Sequence, residues 1–155
     1  MSIKTLQGSL DASGKRFALV ISRFNTEVTT GLLAGARKAL LAAGATASDL
    51  TVIETPGAFE IPLALEWLAL GGSYDAIIAL GAVIKGETSH YEHISEAAMR
   101  GIQTVSLKYG LPIACGVLTT FTDEQAIARS SDNEANKGRE AALAAIEMVN
   151  LRTLL

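Results

Sequence analysis

The 155 residues carry 13 Lys and Arg against 16 Asp and Glu, a net charge of −3 that gives no basic footprint for nucleic acid. Cys115 is the only cysteine, so no disulfide framework exists and a reducing, cytoplasmic setting is expected. No apolar stretch reaches the ~18–20 residues that span a bilayer and the N-terminus has no signal-peptide core, so no membrane role is expected.

The length predicts a single domain over residues 1–155. A hydrophobic fraction of 49% and a mean hydropathy of +0.32 leave apolar surface to spare, and such surface goes into subunit contacts. The first residues, "SIKTLQGSL", have no helix partner and predict an edge strand, in this chain or on a neighbour. "RFALVIS" (16–22) predicts a buried strand, and "TTGLLAGARKALLAAGA" (29–45) a helix that ends near Gly44. "LTVIE" (50–54) is a second strand, followed by a helix over "FEIPLALEWLAL" (59–70) with Pro62 in its first turn. "YDAIIALGAVI" (74–84) is the third strand, and "SHYEHISEAAMRGIQTVSLKYG" (89–110) a helix with Gly110 at its C-cap. "PIACGVLTT" (112–120) is the fourth strand, and helices follow over 123–130 and 137–152.

These strands are near-continuous apolar runs, as a parallel sheet covered on both faces requires. The alternation with helices predicts a three-layer α/β/α sandwich around a four-stranded parallel sheet, doubly wound and flavodoxin-like. In such a sheet, ligands bind beyond the carboxyl ends of the strands, where strand order reverses. The exits are "RFN" (23–25), "TPGAFE" (55–60), "AVIKGETSH" (82–90) and "CGVLTTF" (115–121).

Phe24 is either a stacking platform for a flat heterocycle or a loop aromatic folded onto the core. Gly57-Ala58-Phe59-Glu60 opens a helix, whose free N–H groups suit carbonyl or ring-nitrogen acceptors. Lys85 to Ser89 offers N–H groups, the Thr88 hydroxyl and a helix dipole, either as a phosphate seat or as an ordinary N-cap. The chain has no G-x-x-x-x-G-K-[ST] loop, and no G-x-G-x-x-G follows a strand, which leaves a nucleoside triphosphate or a dinucleotide unsupported. His90 and His93 lack a third ligand for zinc, since Glu92 points elsewhere on the helix. His90, beside the phosphate seat, is either a proton shuttle or a polar residue opening an ordinary helix, and His93 is a surface or packing residue. Cys115 has no base beside it by sequence and is a small wall residue. Arg129 and Lys137 bracket the polar turn "SSDNEAN", where solvated charges are an open reading for both. A receiver-type acidic cluster is absent, since the first strand exits into Arg23-Phe24-Asn25.

Taken together, "RFN", "PGAFEIP", "GAVIKGETSHYEHI", "GVLTT…EQAIAR" and "NKGREAALAAIEM" resemble the 6,7-dimethyl-8-ribityllumazine synthase family, in order and over nearly the whole chain. The resemblance implies a transferase of riboflavin biosynthesis. Its substrates would be 5-amino-6-(D-ribitylamino)uracil and 3,4-dihydroxy-2-butanone 4-phosphate, and it would use no metal or cofactor. By the same resemblance Phe24 stacks on the pyrimidine. Ala58, Phe59 and Glu60 take the uracil and ribityl chain, and Ala82, Val83 and Ile84 line the uracil side. Glu87 and Thr88 hold the phosphate and His90 donates the proton. Arg129 binds phosphate and Cys115, where the family often has Phe, walls the pocket; both come from the adjacent subunit. Lys137 joins the surrounding charge network. The family assembles as pentamers, and the short span from Arg129 to Asn136 implies closure of twelve pentamers into a 60-subunit shell. Riboflavin synthase is a candidate partner. Alternatives are a flavin-binding module without catalysis and a pure shell protein.

Overall fold

A computed structural model describes residues 1–155. It contains β1 (Phe17–Ser22), α1 (Thr26–Ala42), β2 (Leu50–Thr55), α2 (Ile61–Gly71), β3 (Ala76–Ile84), α3 (His90–Tyr109), β4 (Ile113–Thr120), α4 (Asp123–Ser130) and α5 (Lys137–Arg152). The strands form one sheet in the order β2-β1-β3-β4, every pair parallel. This is the four-stranded, doubly wound sandwich expected from the sequence.

Alternate side chains of the two central strands face opposite layers, as the two-residue period of a strand demands. Phe17, Leu19, Ile21, Ile78 and Leu80 pack against Leu32, Ala36 and Leu40 of α1 and Ala145 and Ile146 of α5. Ala18, Val20, Ile77, Ala79 and Val83 pack against Ile61 and Leu65 of α2 and Ala98, Ile102 and Val105 of α3. Every residue of β1 is buried, whereas β2, at one edge, buries only Thr55. The unbroken apolar runs of β1 and β3 thus follow from cover on both faces.

Three boundaries differ from those read in the sequence. α1 begins at Thr26 rather than 29, because Asn25 adopts the left-handed conformation (φ 59°) and its carbonyl accepts from the N–H groups of Val28 and Thr29. α2 is preceded by a 3₁₀ turn over Ala58–Glu60. Residues 1–10 form no strand in this chain, which corrects the within-chain form of the predicted edge strand. The segment instead runs over α5, where Asn150 Nδ2 donates to the carbonyls of Ser9 (2.8 Å) and Asp11 (2.9 Å). Gly8 lies so close to α5 that an added Cβ would stand 2.0 Å from the Glu147 carbonyl oxygen. Gly110 ends α3 in the left-handed conformation (φ 58°), as expected for its C-cap.

The turn between α4 and α5 is held by one buried side chain. Asn136 Nδ2 donates to the carbonyls of Gly31, Ser130 and Ser131 at 3.0–3.1 Å, and its Oδ1 accepts from Arg139 N–H at 3.0 Å. α1, α4 and α5 therefore meet at a single amide, which needs close helix approach. Gly138 permits that approach, since a Cβ there would lie 1.9 Å from the Leu32 carbonyl oxygen. Gly71, also helical, has nothing within 4 Å of the same position. Gly138→Ala is therefore expected to lower stability by about 1–3 kcal/mol through forced separation of α1 and α5. Gly71→Ala should raise it by about 0.4–1 kcal/mol through loss of unfolded-state entropy. Urea unfolding of both variants checks the contrast; equal effects would refute the close-approach argument.

Candidate active site

A cavity of about 450 Å³ opens at the carboxyl ends of β1 and β3, where the strand order reverses. A recess of about 470 Å³ also lies between α1 and the α4–α5 turn. Its Lys38 and Asp132 are already paired at 3.1 Å, and it stands away from the strand ends, so the cavity at the reversal is the candidate site.

Its first wall is the turn after β1. Arg23 N–H donates to the Thr55 carbonyl (2.9 Å), and Thr26 Oγ1 donates to the Arg23 carbonyl (2.7 Å). Asn25 tolerates its left-handed backbone as few other residues do, and its Nδ2 donates to the Ala82 carbonyl at 2.9 Å. That bond ties the exit of β1 to β3 and turns Phe24 outward, where its ring is 70% exposed on the cavity rim. The second wall is the turn before α2. Thr55 Oγ1 donates to the Gly57 carbonyl (3.1 Å), Ala58 is buried, and Phe59 stands exposed. The Glu60 carboxylate folds back beside Gly57, since a Cβ on that glycine would lie 3.2 Å from Glu60 Oε2. Ala82, Val83 and Ile84 of β3 form the floor, and Gly86, Thr88, His90, Tyr91 and Ile94 complete the lining. His90 N–H reaches Thr88 Oγ1 at 3.4 Å, a long contact.

Helix starts set the electrostatics. α4 and α5 begin with side-chain caps, Thr122 accepting from Gln125 N–H (3.1 Å) and Asn136 from Arg139 N–H (3.0 Å). α1, α2 and α3, whose starts surround the cavity, have no side-chain cap hydrogen bond. Backbone carbonyls already engage part of each first turn, Asn25 holding the Val28 N–H, Ala58 that of Ile61 and Ser89 that of Glu92, so the positive dipole ends and the remaining N–H groups are what stays open to solvent or ligand. An exposed ring, uncapped N–H groups and an imidazole suit a flat, acceptor-rich molecule with an anionic substituent and a proton to be moved.

Of the predicted residues, Phe24, Ala58, Phe59, Glu60, Ala82, Val83, Ile84, Thr88 and His90 line this one cavity. Glu87 does not line it and lies exposed on the connecting loop. Cys115 and Arg129 line a separate recess of about 340 Å³ along the free edge of β4, with Lys137 and Glu140. Arg129 Nη1 donates to the Gln125 carbonyl (3.0 Å), and Lys137 Nζ pairs with Glu140 at 2.7 Å. The Cys115 thiol stands 3.3 Å from Met99 Sδ; the residue keeps surface exposure, yet the partial desolvation of its sulfur raises the thiol pKa above its ordinary value. His93 is exposed and off the cavity, the surface alternative of the two expected for it. Asn25, Gly57, Gly86, Tyr91 and Ile94 also line the site. Ile94, four residues after His90, was findable from helical spacing. Asn25 carried only the weak signal of an Asn closing a strand exit.

The family model described as 6,7-dimethyl-8-ribityllumazine synthase matches residues 14–153 of this chain. The chain belongs to that family of riboflavin biosynthesis transferases. The matched span contains every cavity residue named above.

One polar atom beside the cavity floor is unexplained by the fold. Ser22, fully buried at the end of β1, has no hydrogen-bond partner for its hydroxyl, which would meet a Cβ on Gly81 at 3.1 Å. A buried hydroxyl without a partner costs about 1–3 kcal/mol. Ser22→Ala is therefore expected to raise the urea midpoint, by about 1 kcal/mol in stability. A fall of that size would show that the hydroxyl bonds a buried water.

Proposed function

We propose that this member of the family condenses 5-amino-6-(D-ribitylamino)uracil with 3,4-dihydroxy-2-butanone 4-phosphate to 6,7-dimethyl-8-ribityllumazine. Phosphate and water are released in this penultimate step of riboflavin synthesis. The observation that carries the reading is the gathering of Phe24, Glu60, Thr88 and His90 on one cavity in a chain of this family.

Phe24 stacks on the pyrimidine, whose carbonyls take N–H groups of the Ala58–Phe59 turn and backbone contacts from Ala82, Val83 and Ile84. Glu60 accepts from the ribityl hydroxyls. The Thr88 hydroxyl and the backbone N–H groups of Glu87 and Thr88 seat the phosphate with the positive end of α3, and Arg129 of a neighbouring copy neutralises it. The uracil's free amine adds to the ketone carbon, and the resulting carbinolamine loses water. Removal of the proton on the hydroxyl-bearing carbon then expels phosphate from the neighbouring carbon, the enol left behind tautomerises to a ketone, and the ribitylamino nitrogen closes the ring on that ketone with loss of a second water. His90 moves protons in these steps, a task that suits an imidazole near neutral pH. Holding two substrates in contact supplies the rest of the acceleration.

In this reading Cys115 walls the pocket of the next copy, so the working unit is a homo-oligomer in a reducing cytoplasm. Apolar surface on α2, with Leu63 55% and Trp67 65% exposed, supports burial against another copy. We take the unit to be a pentamer, and the short α4–α5 turn, pinned by Asn136, favours closure of twelve into a shell.

Mixing protein with both substrates should produce lumazine fluorescence; no product above the uncatalysed rate rejects the function. In that assay His90→Ala should lower kcat by up to about 10²–10⁴-fold with turnover remaining. Arg129→Ala should mainly raise KM for the phosphate substrate, and a loss confined to uracil binding would refute its phosphate role. Light scattering should find a 60-subunit particle, whereas species of five or ten subunits would reject the shell.

A further inference from the structure

Phe121, at the exit of β4, is 63% exposed, yet its ring is met from two directions. Lys85 Nζ stands 5.6 Å from the ring centroid, and the Tyr91 ring lies at 6.3 Å, tilted by 43°. These two partners are the ends of one loop. Lys85 closes the β3–β4 ladder, its N–H donating to the Thr120 carbonyl at 2.9 Å. Tyr91 is the second residue of α3 and packs on the buried cluster of the α2–α3 layer. Between them, Gly86 to His90 is exposed throughout and includes Thr88 and His90. Little holds this stretch from within: α3 starts without a side-chain cap, and the Thr88–His90 contact is long at 3.4 Å. Phe121 is itself fixed, since its N–H donates to Gln125 Oε1 at 2.9 Å.

We infer that Phe121 is a positioning residue: its ring clasps Lys85 and Tyr91 and so holds the 85–91 loop in the shape that presents Thr88 and His90 to the cavity. A cation over an aromatic face and a tilted ring pair are both attractive, the first modestly when exposed. Both contacts act on a loop only a few residues long. Loss of the ring lets the loop spend time in other shapes, and apparent affinity falls in proportion to the fraction that stays competent.

The kinetic half of the test rests on the proposed function, whereas the exchange half does not. Amide hydrogen exchange is measured on the assembled wild type and on Phe121→Ala, Phe121→Leu and Phe121→Tyr, with substrate kinetics alongside. Exchange of the Glu92 and His93 amides, which bond the Ser89 carbonyl at the end of this loop, should quicken about three- to tenfold in the Ala and Leu variants, which lack a π face, and return to the wild-type rate in the Tyr variant. KM for the phosphate substrate should rise by a similar factor in the first two while KM for the pyrimidine stays put. Lys85→Met should quicken exchange in the same direction and Lys85→Arg restore it. Unchanged exchange in Phe121→Ala overturns the clasp, as does a change of particle size with exchange unaltered, which would make Phe121 a subunit contact. If the wild type forms no lumazine but exchange follows the ring, the function fails and the clasp stands.

Discussion

The site exists because β1 has partners on both sides. After β1 the chain crosses to β2 on one flank, then returns past β1 to lay β3 on the other. The two crossings leave on opposite faces of the sheet, so neither covers the gap between the ends of β1 and β3. Helices rising from these strand ends start around that gap, and none of the three has a capping side chain to compete for its positive end. Binding chemistry is thus a by-product of topology, refined by a few residues at the rim.

Rigid and loosely held parts divide sharply around the cavity. The floor belongs to β3, buried along nearly its whole length between two helical layers. The first two walls are tied by backbone and short side-chain bonds, above all Asn25 to the Ala82 carbonyl. The wall with Thr88 and His90 is an exposed loop with few internal bonds, so a fixed surface faces a more adjustable one. On the proposed chemistry, the stacking residue lies on the first and the proton carrier on the second.

Central features were legible in the sequence because burial writes itself into composition. β1 and β3 could be read from apolar runs, Gly110 from its place after a helical pattern, and the cavity wall from the rule of strand ends. Contacts that depend on distant side chains were not. The capture of Ser9 and Asp11 by Asn150 joins residues some 140 positions apart, and no local pattern announces it. The left-handed Asn25 shifted the start of α1 because one amide found a carbonyl on another strand. Phe121, unremarked in its strand exit, gains meaning only when Lys85 and Tyr91 are seen on either side of its ring.

The separation of the two recesses, one at the ends of β1 and β3 and one along the edge of β4, has an arithmetic consequence. If each copy completes its successor, an open string of copies always contains one unfinished pocket at its head and one idle edge at its tail. Joining head to tail abolishes both defects in the same step. Circular closure would then be what gives every chain a full complement of catalytic groups, and a broken circle would lose one centre however many members it kept.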